Sequence, residues 1–284
     1  MSLIVLPKPP AVVPLLLKAV TTATRKPGPD AVVPPLEVRL RASRPDPAMV
    51  AQYREVCGFA PSKMLPITFF QVQAVSLHLW LMNQPRFPFP LLGLVHLRNS
   101  NEQPKPVPQD VRYELRATLG PARRIPQGLI FDIITEAVGD NGDVLSRSVT
   151  TPLVRMKLEG GGGKMPEPKL PEMKELERFC VPADIGRRYA AVAKDYNPIH
   201  LHPLSARLFG FKRAIAHGMW SVARCAAALE PLLPGPATSL SVQYRAPLLL
   251  PAEVSLKRAL GEAPLDFALM RHDGQKMYLN GRIG

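Results

Sequence analysis

One short stretch of the sequence brings a carboxylate and an imidazole close together. Asp195 and His200 are five residues apart, with Asn197-Pro198 between them. An Asn-Pro pair favours a turn and disfavours helix at the Asn, so the turn can direct both side chains to one point. A carboxylate beside an imidazole can move protons near neutral pH. The spacing indicates a general acid/base pair, and the simpler alternative is a turn-capping Asp195 beside a packed His200.

A second segment whose residues could take part in a reaction lies further along the chain. His217 and Gly218 stand directly before an apolar run, 219–229, that has the length of a helix. Glycine lets the backbone approach a ligand closely, and N–H groups at the start of a helix stabilise negative charge that develops on an oxygen. The pattern predicts an oxyanion hole at Gly218, and the alternative is an ordinary loop glycine.

The elements that must position these residues are predicted twice, in the same order. Each half has a strand, a short helix, a longer apolar helix and four further strands, and Tyr53 aligns with Tyr189 at an offset of 136 residues. The predicted ranges are 36–40, 46–59, 70–82, 91–97, 113–119, 129–137 and 144–156, then 176–181, 182–196, 219–229, 238–244, 252–260, 267–272 and 276–283. This order predicts an α+β fold, in which each half wraps an antiparallel sheet around one central helix.

A glycine- and proline-rich segment separates the two halves. Residues 159–171 read EGGGGKMPEPKLP, a composition typical of a flexible linker. We therefore predict a first domain over 1–158 and a second domain over 172–284. The sequences DNGD at 140–143 and HDGQ at 272–275 predict a hairpin turn between the last two strands of each half.

Composition and charge restrict the classes of partner. The 284 residues are 46% hydrophobic, and 36 basic against 23 acidic residues give a formal charge of +13. A nucleic-acid-binding protein usually concentrates its positive charge and interleaves aromatic residues. Here the charge is spread over both halves and aromatic residues are only 6% of the chain. We expect no nucleic-acid partner, and an anionic small molecule or an acidic carrier protein would account for the charge equally well.

The cysteines and the apolar runs restrict the cellular compartment that we expect for the protein. Cys57, Cys180 and Cys225 are far apart and form no metal-binding spacing, so we expect neither a disulfide framework nor a metal site. Prolines break the apolar runs of residues 1–20, which form a poor signal peptide. The best membrane candidate, 67–82, is too short and too polar to cross a bilayer. These observations predict a cytoplasmic protein that does not enter a membrane.

The stretch around the candidate pair resembles the signature of the MaoC-like, (R)-specific enoyl-CoA hydratase family, also called hydratase 2. The matching segments are Y-A-x4-D-Y-N-P-I-H, then A-R-x-x-G-F, then I-A-H-G-M, within 189–219. The run SVQYRAPLLLPAEV at 241–254 is similar to the strand that follows in the family. The resemblance covers the second half and does not reach the first half directly.

The resemblance implies a double hot-dog fold, in which two curled antiparallel sheets each surround a long central helix. Family members with a single hot-dog domain form dimers, and members with two halves resemble one fused pseudo-dimer. We therefore expect either a monomeric pseudo-dimer or a homodimer. The first half lacks any D-x-N-P-x-H motif. It is predicted to be a degenerate copy, retained for shape, which forms a wall of the acyl pocket and one face of the dimer-like interface.

The resemblance also implies a reaction and a role for each site residue. The family reversibly hydrates a trans-2-enoyl thioester to an (R)-3-hydroxyacyl thioester. Asp195 and His200 would bind the water; one would take its proton and the other would supply the α-proton, with the assignment left open. The Gly218 N–H would hold the thioester oxygen as enolate charge develops. Asn197 would order the turn, and both Asn197 and His217 are expected to position the substrate.

Three cationic residues are candidates for binding the coenzyme A or phosphopantetheine part of the substrate. Lys212 and Arg213 precede the predicted oxyanion hole, and Arg245 follows a predicted strand. They could bind the phosphates of coenzyme A or of a phosphopantetheine carrier, and the alternative is a solvated basic surface. Coenzyme A or phosphopantetheine would enter only as part of the substrate, so no separate cofactor is expected.

Some residues depart from the family pattern or have other predicted roles. Family members often have Ser-Gly before the aspartate, where this chain has Ala193-Lys194, and commonly have Asp or Asn at the position of His202. These departures affect the expected chain-length range and rate more than the type of reaction. His78 and His96 lie in apolar runs of the first half and are predicted to be packed.

Two alternatives from other functional classes remain open. A hot-dog acyl thioesterase would need a base aimed at the thioester carbonyl, and the D-x-N-P-x-H pattern argues against it. A non-catalytic subunit that binds acyl thioesters is the other alternative, and the presence of Asp195, His200 and Gly218 argues against that.

Overall fold

The computed structural model describes residues 2–91, 93–156 and 166–284. Its strands are β1 (Ser2–Leu6), β2 (Leu36–Ser43), β3 (Val95–Glu102), β4 (Tyr113–Leu119), β5 (Arg123–Ile125), β6 (Gly128–Ile130), β7 (Ile133–Gly139), β8 (Val144–Arg155), β9 (Met173–Val181), β10 (Ser239–Tyr244), β11 (Ala252–Ala259), β12 (Leu265–Arg271) and β13 (Met277–Ile283). Its α-helices are α1 (Val12–Thr21), α2 (Pro47–Cys57), α3 (Phe69–Gln73), α4 (Val75–Met82), α5 (Ile185–Ala193), α6 (Pro198–Leu201), α7 (Pro203–Arg207) and α8 (Gly218–Leu229). Short 3₁₀ helices cover Thr22–Thr24 and Glu230–Leu232.

The strands of the two halves follow the same spatial order. Across the part of the chain that the structure describes, the order is β1-β2-β4-β7-β8-β3-β10-β13-β12-β11-β9, and the β5–β6 hairpin joins β8. Outward from the contact between β3 and β10, the first half runs β3-β8-β7-β4-β2 and the second runs β10-β13-β12-β11-β9. The strands therefore correspond one to one, as the repeated order of elements predicts, and the double hot-dog fold is confirmed.

The two curled sheets are joined edge to edge. Strands β3 and β10 pair in antiparallel fashion, with Asn99 opposite Val242 and Asn101 opposite Leu240. All strand pairs in the described chain are antiparallel except β1 with β2, which adds a parallel strand at the outer edge of the first half. The pseudo-dimer therefore has a continuous sheet that runs from one half into the other.

Each sheet covers a central helix with its apolar side. In the second half this is α8, which begins at Gly218, one residue before the predicted start. In the first half the single helix predicted over 70–82 is two short helices, α3 and α4, with Ala74 between them. The DNGD and HDGQ turns connect β7 to β8 and β12 to β13, as predicted.

Helices α2 and α5 form a second contact between the two halves. Asp46 caps α2, where its carboxylate accepts a hydrogen bond from the Ala48 N–H at 3.0 Å. The rings of Tyr53 on α2 and Tyr189 on α5 are both buried, with centroids 6.3 Å apart. The two tyrosines that align in the sequence repeat thus meet where the halves pack against each other.

Two predicted strands differ from the observed ones for local reasons. The strand predicted over 91–97 begins at Val95, because Gly93 has a φ of 100° and turns the chain before the ladder starts. The strand predicted over 129–137 is divided into β6 and β7. Between them, Phe131 packs on Phe87, with ring centroids 5.3 Å apart. Both strands pair with β8, but the other neighbour of β6 is β5 and that of β7 is β4.

The predicted linker is only partly described. Residues 159–165 of the segment 159–171 lie outside the described residues, and the remainder leads into β9. The division into domains over 1–158 and 172–284 stays a prediction. Within the described chain, no helix combines the length and the apolar character needed to cross a membrane.

Candidate active site

The turn between α5 and α6 positions Asp195 and His200. Helix α5 ends at Ala193, and Lys194 has a φ of 57°, which turns the chain out of the helix. Asn197 then caps α6: its side-chain oxygen accepts a hydrogen bond from the Ile199 N–H at 3.4 Å. The Asn197 N–H donates to Asp195 Oδ1 at 3.3 Å. The Asn-Pro turn thereby holds the carboxylate beside the helix that carries His200, as the spacing predicts.

Two histidine rings stack at the centre of the site. The rings of His200 and His217 have centroids 3.7 Å apart and an interplanar angle of 24°. His200 Nδ1 lies 2.8 Å from the carbonyl oxygen of Ile215, and His217 Nε2 lies 2.9 Å from that of Asp195. A carbonyl oxygen can only accept, so these nitrogens carry the hydrogens. Nε2 of His200 is therefore left with a lone pair that can take a proton.

The protonation states follow from burial and from the close charges. Burial alone would raise the pKa of Asp195, but the electrostatic interaction with the His217 and His200 rings and the hydrogen bond from the Asn197 N–H bring that pKa below its usual value. Burial, together with the charge of His217, holds the pKa of His200 well below its usual value. The site therefore contains an ionised carboxylate beside a neutral imidazole at neutral pH.

Gly218 is the first residue of α8, beside this pair. The first N–H groups of a helix have no intrahelical acceptor, and the helix dipole makes this end positive. The ring of Tyr244 lies directly against the glycine: a Cβ at position 218 would be 2.8 Å from Tyr244 Cε1. A side chain at position 218 does not fit between the Tyr244 ring and the first turn of α8. The position therefore requires glycine, and among the described residues its backbone N–H donates no hydrogen bond.

The two residues predicted to position the substrate, Asn197 and His217, lie beside Asp195 and His200. Asn197 orders the turn through its backbone and side chain. The ring of His217 contacts that of His200 and bonds to the backbone of Asp195, so it holds the two catalytic candidates in register. His217 Nδ1 is buried without a hydrogen-bond partner among the described residues. Their role in positioning a substrate stays a prediction.

The three predicted phosphate-binding cations have different surroundings. Lys212 and Arg213 are exposed, and Arg213 lines a surface pocket of about 250 Å³. The guanidinium of Arg245 donates to Asn280 at 2.9 Å, to Gln243 at 2.7 Å and to the carbonyl of Pro166 at 2.8 Å. The structure thus gives Arg245 a bracing role between strands β10 and β13 and the linker segment that contains Pro166.

Two residues near the site are not among the predicted site residues. Gly186 lies within α5, where its backbone meets α6 so closely that a Cβ would be 1.9 Å from the carbonyl oxygen of His200. A glycine inside a helical pattern is a sequence signal for such close packing. The other residue is His96, for which packing was the prediction: it is exposed, and this prediction is wrong. His78 is buried as predicted, 2.7 Å from Thr135 Oγ1.

Asp195, His200 and His217 also have the donor atoms of a metal site. One donor atom from each lies within 4.8 Å of the others. An imidazole binds a metal along the lone pair in its ring plane, at about 2.0–2.1 Å for zinc. Face-to-face rings direct these lone pairs along nearly parallel planes, which argues against a shared ion. The absence of a metal and of a separate cofactor stays a prediction.

Buried neutral histidines make stability dependent on pH. Burial lowers the pKa of His78 to about 3, and the pKa of His200 is also depressed. The unfolded chain binds a proton at each of these residues below pH ~6.5 and the folded protein does not. We expect the free energy of unfolding to fall as the pH drops below that value, by up to about 1.4 kcal/mol per pH unit for each histidine.

Denaturant unfolding at pH 7.5 and at pH 5 measures this loss of stability. The matched variant is His78→Gln, which does not titrate and can keep a hydrogen bond to Thr135. Its stability should depend less on pH than that of the unchanged protein. Equal stability at the two pH values would contradict the assigned protonation states.

Comparisons with known proteins agree with this geometry. A family model described as MaoC like domain matches residues 167–262. The 3-hydroxyacyl-thioester dehydratase X of Mycobacterium tuberculosis (strain ATCC 25618 / H37Rv) is 36% identical over 228 residues, which cover 79% of this chain and 80% of that protein. The crystal structure of HtdX from Mycobacterium tuberculosis aligns with a TM-score of 0.75 at 30% identity, and covers 87% of this chain and 98% of its own.

Two further proteins are similar over part of the chain or in fold. The (R)-specific enoyl-CoA hydratase of Aeromonas caviae is 30% identical over 98 residues, which are 34% of this chain and 68% of that protein. A Mycobacterium tuberculosis protein with a double hot-dog fold aligns with a TM-score of 0.56 at 10% identity, over 85% of this chain and 92% of its own, a likeness of fold alone. The sequence motif, the strand order and these similarities agree: the chain belongs to the MaoC-like dehydratase family.

Proposed function

We propose that the protein catalyses the reversible hydration of trans-2-enoyl thioesters to (R)-3-hydroxyacyl thioesters. The observation that carries this proposal is the ionised Asp195 beside a neutral His200, next to the first N–H of α8 at Gly218. The relatives named as a 3-hydroxyacyl-thioester dehydratase and an (R)-specific enoyl-CoA hydratase support the same reaction in its two directions. The enzyme is then a hydro-lyase.

Proton counting restricts how the pair acts. Hydration adds the oxygen of water to C3 and one proton to C2 of the enoyl group. Asp195 begins as a carboxylate without a proton. His200 begins as a neutral imidazole whose one ring hydrogen, on Nδ1, is bonded to the Ile215 carbonyl, so neither group offers a proton to C2. The group that takes the proton from water must therefore also deliver it. This differs from the expectation that one residue takes the proton and the other supplies it.

We assign that proton transfer to Nε2 of His200. Its Nδ1 is bonded to the Ile215 carbonyl, which leaves the Nε2 lone pair for the water. The Asp195 carboxylate accepts the second hydrogen of the water and stabilises the imidazolium that forms. As C3 is attacked, electron density moves to the thioester oxygen, where the Gly218 N–H and the positive end of α8 stabilise it. The imidazolium then protonates C2.

The pocket at Arg213 is the proposed site for the phosphates of the acyl carrier. Its rim also contains Arg271 and Lys276, and Glu253 contributes one opposing charge. Arg271 is paired with Asp273 at 2.7 Å, so the net positive charge comes chiefly from Arg213 and Lys276. Arg213 is two residues before Ile215, whose carbonyl holds His200, so the pocket lies close to the catalytic pair along the chain. Lys212 stays a weaker candidate, with an exposed side chain.

An absorbance assay tests the proposed function directly. Crotonyl-CoA and a crotonyl carrier protein lose the absorbance of the conjugated enoyl group when they are hydrated, and a stereospecific dehydrogenase identifies the (R) product. No loss of absorbance with either substrate would contradict the proposal. Release of a free thiol would instead identify a thioesterase. A cytoplasmic location, and a monomeric pseudo-dimer or a homodimer, stay predictions.

A further inference from the structure

A β-bulge in the first half changes the direction of His96. Strand β3 pairs with β8 so that His96 is opposite Pro152 and Arg98 is opposite Thr151, which leaves Leu97 as an extra residue. A bulge interrupts the regular alternation of side chains and re-aims one of them, often next to an active site. An unbroken strand would place His96 and Arg98 on the same face.

The neighbours of the bulge identify the face that His96 occupies. Leu97 packs with Ile130 and Leu153 in a small cluster apart from the main core. On the opposite side of the strand, Asn99 is buried and donates to Thr150 Oγ1 at 3.0 Å. The ring of His96 lies on this inner side, with its centroid 6.1 Å from that of Tyr244.

His96 is therefore beside the residue that lies against Gly218. The Tyr244 ring is in van der Waals range of the Gly218 backbone, so the three residues form a row along one side of the site. The imidazole is exposed, and within the described residues it makes no hydrogen bond. Its polar atoms are free to meet a ligand, whereas those of His200 and His217 are partly used by the protein.

Desolvation of the His96 ring by the surrounding protein favours its neutral form. The surroundings of the ring and the charge of His200 lower its pKa, and the nearby Asp195 opposes this without reversing it. His217 and His78 also lie within electrostatic range. A neutral imidazole has one hydrogen-bond donor and one acceptor, which suits the carbonyl and amide groups of an acyl thioester and its carrier arm.

We propose that His96 is a substrate-binding residue, through which the first half hydrogen-bonds the acyl thioester beside Gly218. The inference rests on the proposed function for the identity of the ligand. It assigns the first half a direct contact with substrate, beyond its predicted role as a wall retained for shape. The contact serves binding in the ground state, so its loss acts on KM and on affinity more than on kcat.

Two substitutions at His96 and one matched control test the proposal. His96→Leu removes both polar atoms, whereas His96→Gln restores a donor and an acceptor. Glu102→Gln changes another exposed residue of the same strand. The affinity for butanoyl-CoA, which has no double bond to hydrate, is measured by calorimetry, and KM and kcat are measured with crotonyl-CoA. Thermal unfolding verifies that each variant is folded.

We expect His96→Leu to weaken butanoyl-CoA binding and raise KM about tenfold, the size expected for one lost hydrogen bond. His96→Gln should recover most of the affinity, and Glu102→Gln should match the unchanged protein. Unaltered affinity in His96→Leu, a loss confined to kcat, or no recovery with glutamine would overturn the proposal.

The design separates this inference from the proposed function. If the unchanged protein hydrates crotonyl-CoA but His96→Leu binds as tightly, the inference alone is wrong. If the unchanged protein binds butanoyl-CoA without hydrating crotonyl-CoA, the reaction is wrong and the affinity ratio still decides the role of His96. If it neither binds nor hydrates, both are wrong.

Discussion

Replacing His200 with alanine is expected to lower kcat/KM for enoyl-thioester hydration by about 10²–10⁴-fold, the range for loss of a general base. The variant lacks the Nε2 lone pair that takes the proton from water and returns it to C2. The oxyanion hole at Gly218 and the binding pocket remain, so some acceleration over the uncatalysed reaction should persist. Steady-state rates with crotonyl-CoA measure the effect.

The same assay with Asp195→Asn tests whether the pair acts as a unit. Asparagine can still accept the Asn197 N–H, but it has no charge to stabilise an imidazolium. A comparable loss is expected, and the double variant should be little worse than either single one, because residues that act together are strongly non-additive. The control is His202→Asn: His202 caps α7 by accepting the Leu204 N–H, and asparagine caps equally well. A His200→Ala protein with the unchanged rate would refute the mechanism.

Gly186→Ala is expected to destabilise the protein, although alanine is the better helix former. A Cβ on Gly186 would be 1.9 Å from the His200 carbonyl oxygen, so α5 and α6 must move apart. Overpacking of this kind costs about 1–3 kcal/mol or more, against a gain of about 1 kcal/mol in helix propensity. Because the displaced atoms belong to the backbone of His200, activity should fall in the protein that remains folded.

Denaturant unfolding and kcat/KM, measured on the same preparation, test this expectation. The control is Gly235→Ala, because a Cβ at Gly235 meets nothing within 4 Å and its φ is outside the left-handed region. That variant should retain both stability and activity. A Gly186→Ala protein that is as stable and as active as the control would show that α5 and α6 are not in close contact.

The sequence predicts the elements that local chemistry determines. The Asn-Pro turn between Asp195 and His200 and the glycine before α8 have local causes, and the structure has both. The repeated order of strands and helices predicts the α+β class because each element has its own apolar period, whereas the double hot-dog form is what the family resemblance implies. The alignment of Tyr53 with Tyr189 even identifies a pair of side chains that meet.

The remaining features depend on contacts between distant segments. The direction of the His96 side chain follows from a bulge, which is a property of how β3 pairs with β8 and not of the β3 sequence alone. Position 186 requires glycine because α6 packs closely against α5 at this point. The bracing of Arg245 follows from its partners on β10 and β13 and near the linker. No local pattern specifies the contacts of His96 or Arg245, and a glycine within a helical pattern signals close packing at Gly186 without identifying its partner.

The covalent connection between the two halves that pair at β3 and β10 makes assembly of the site independent of dilution. His96 is supplied by one half and His200 by the other, and in a dimer of separate chains such a site would dissociate by mass action at low concentration. Here the covalent connection keeps each half at an effective concentration of about millimolar for the other. The same connection removes the need for both halves to carry the same residues, so the first half can lose its own acid/base pair and keep only what the single remaining site requires of it.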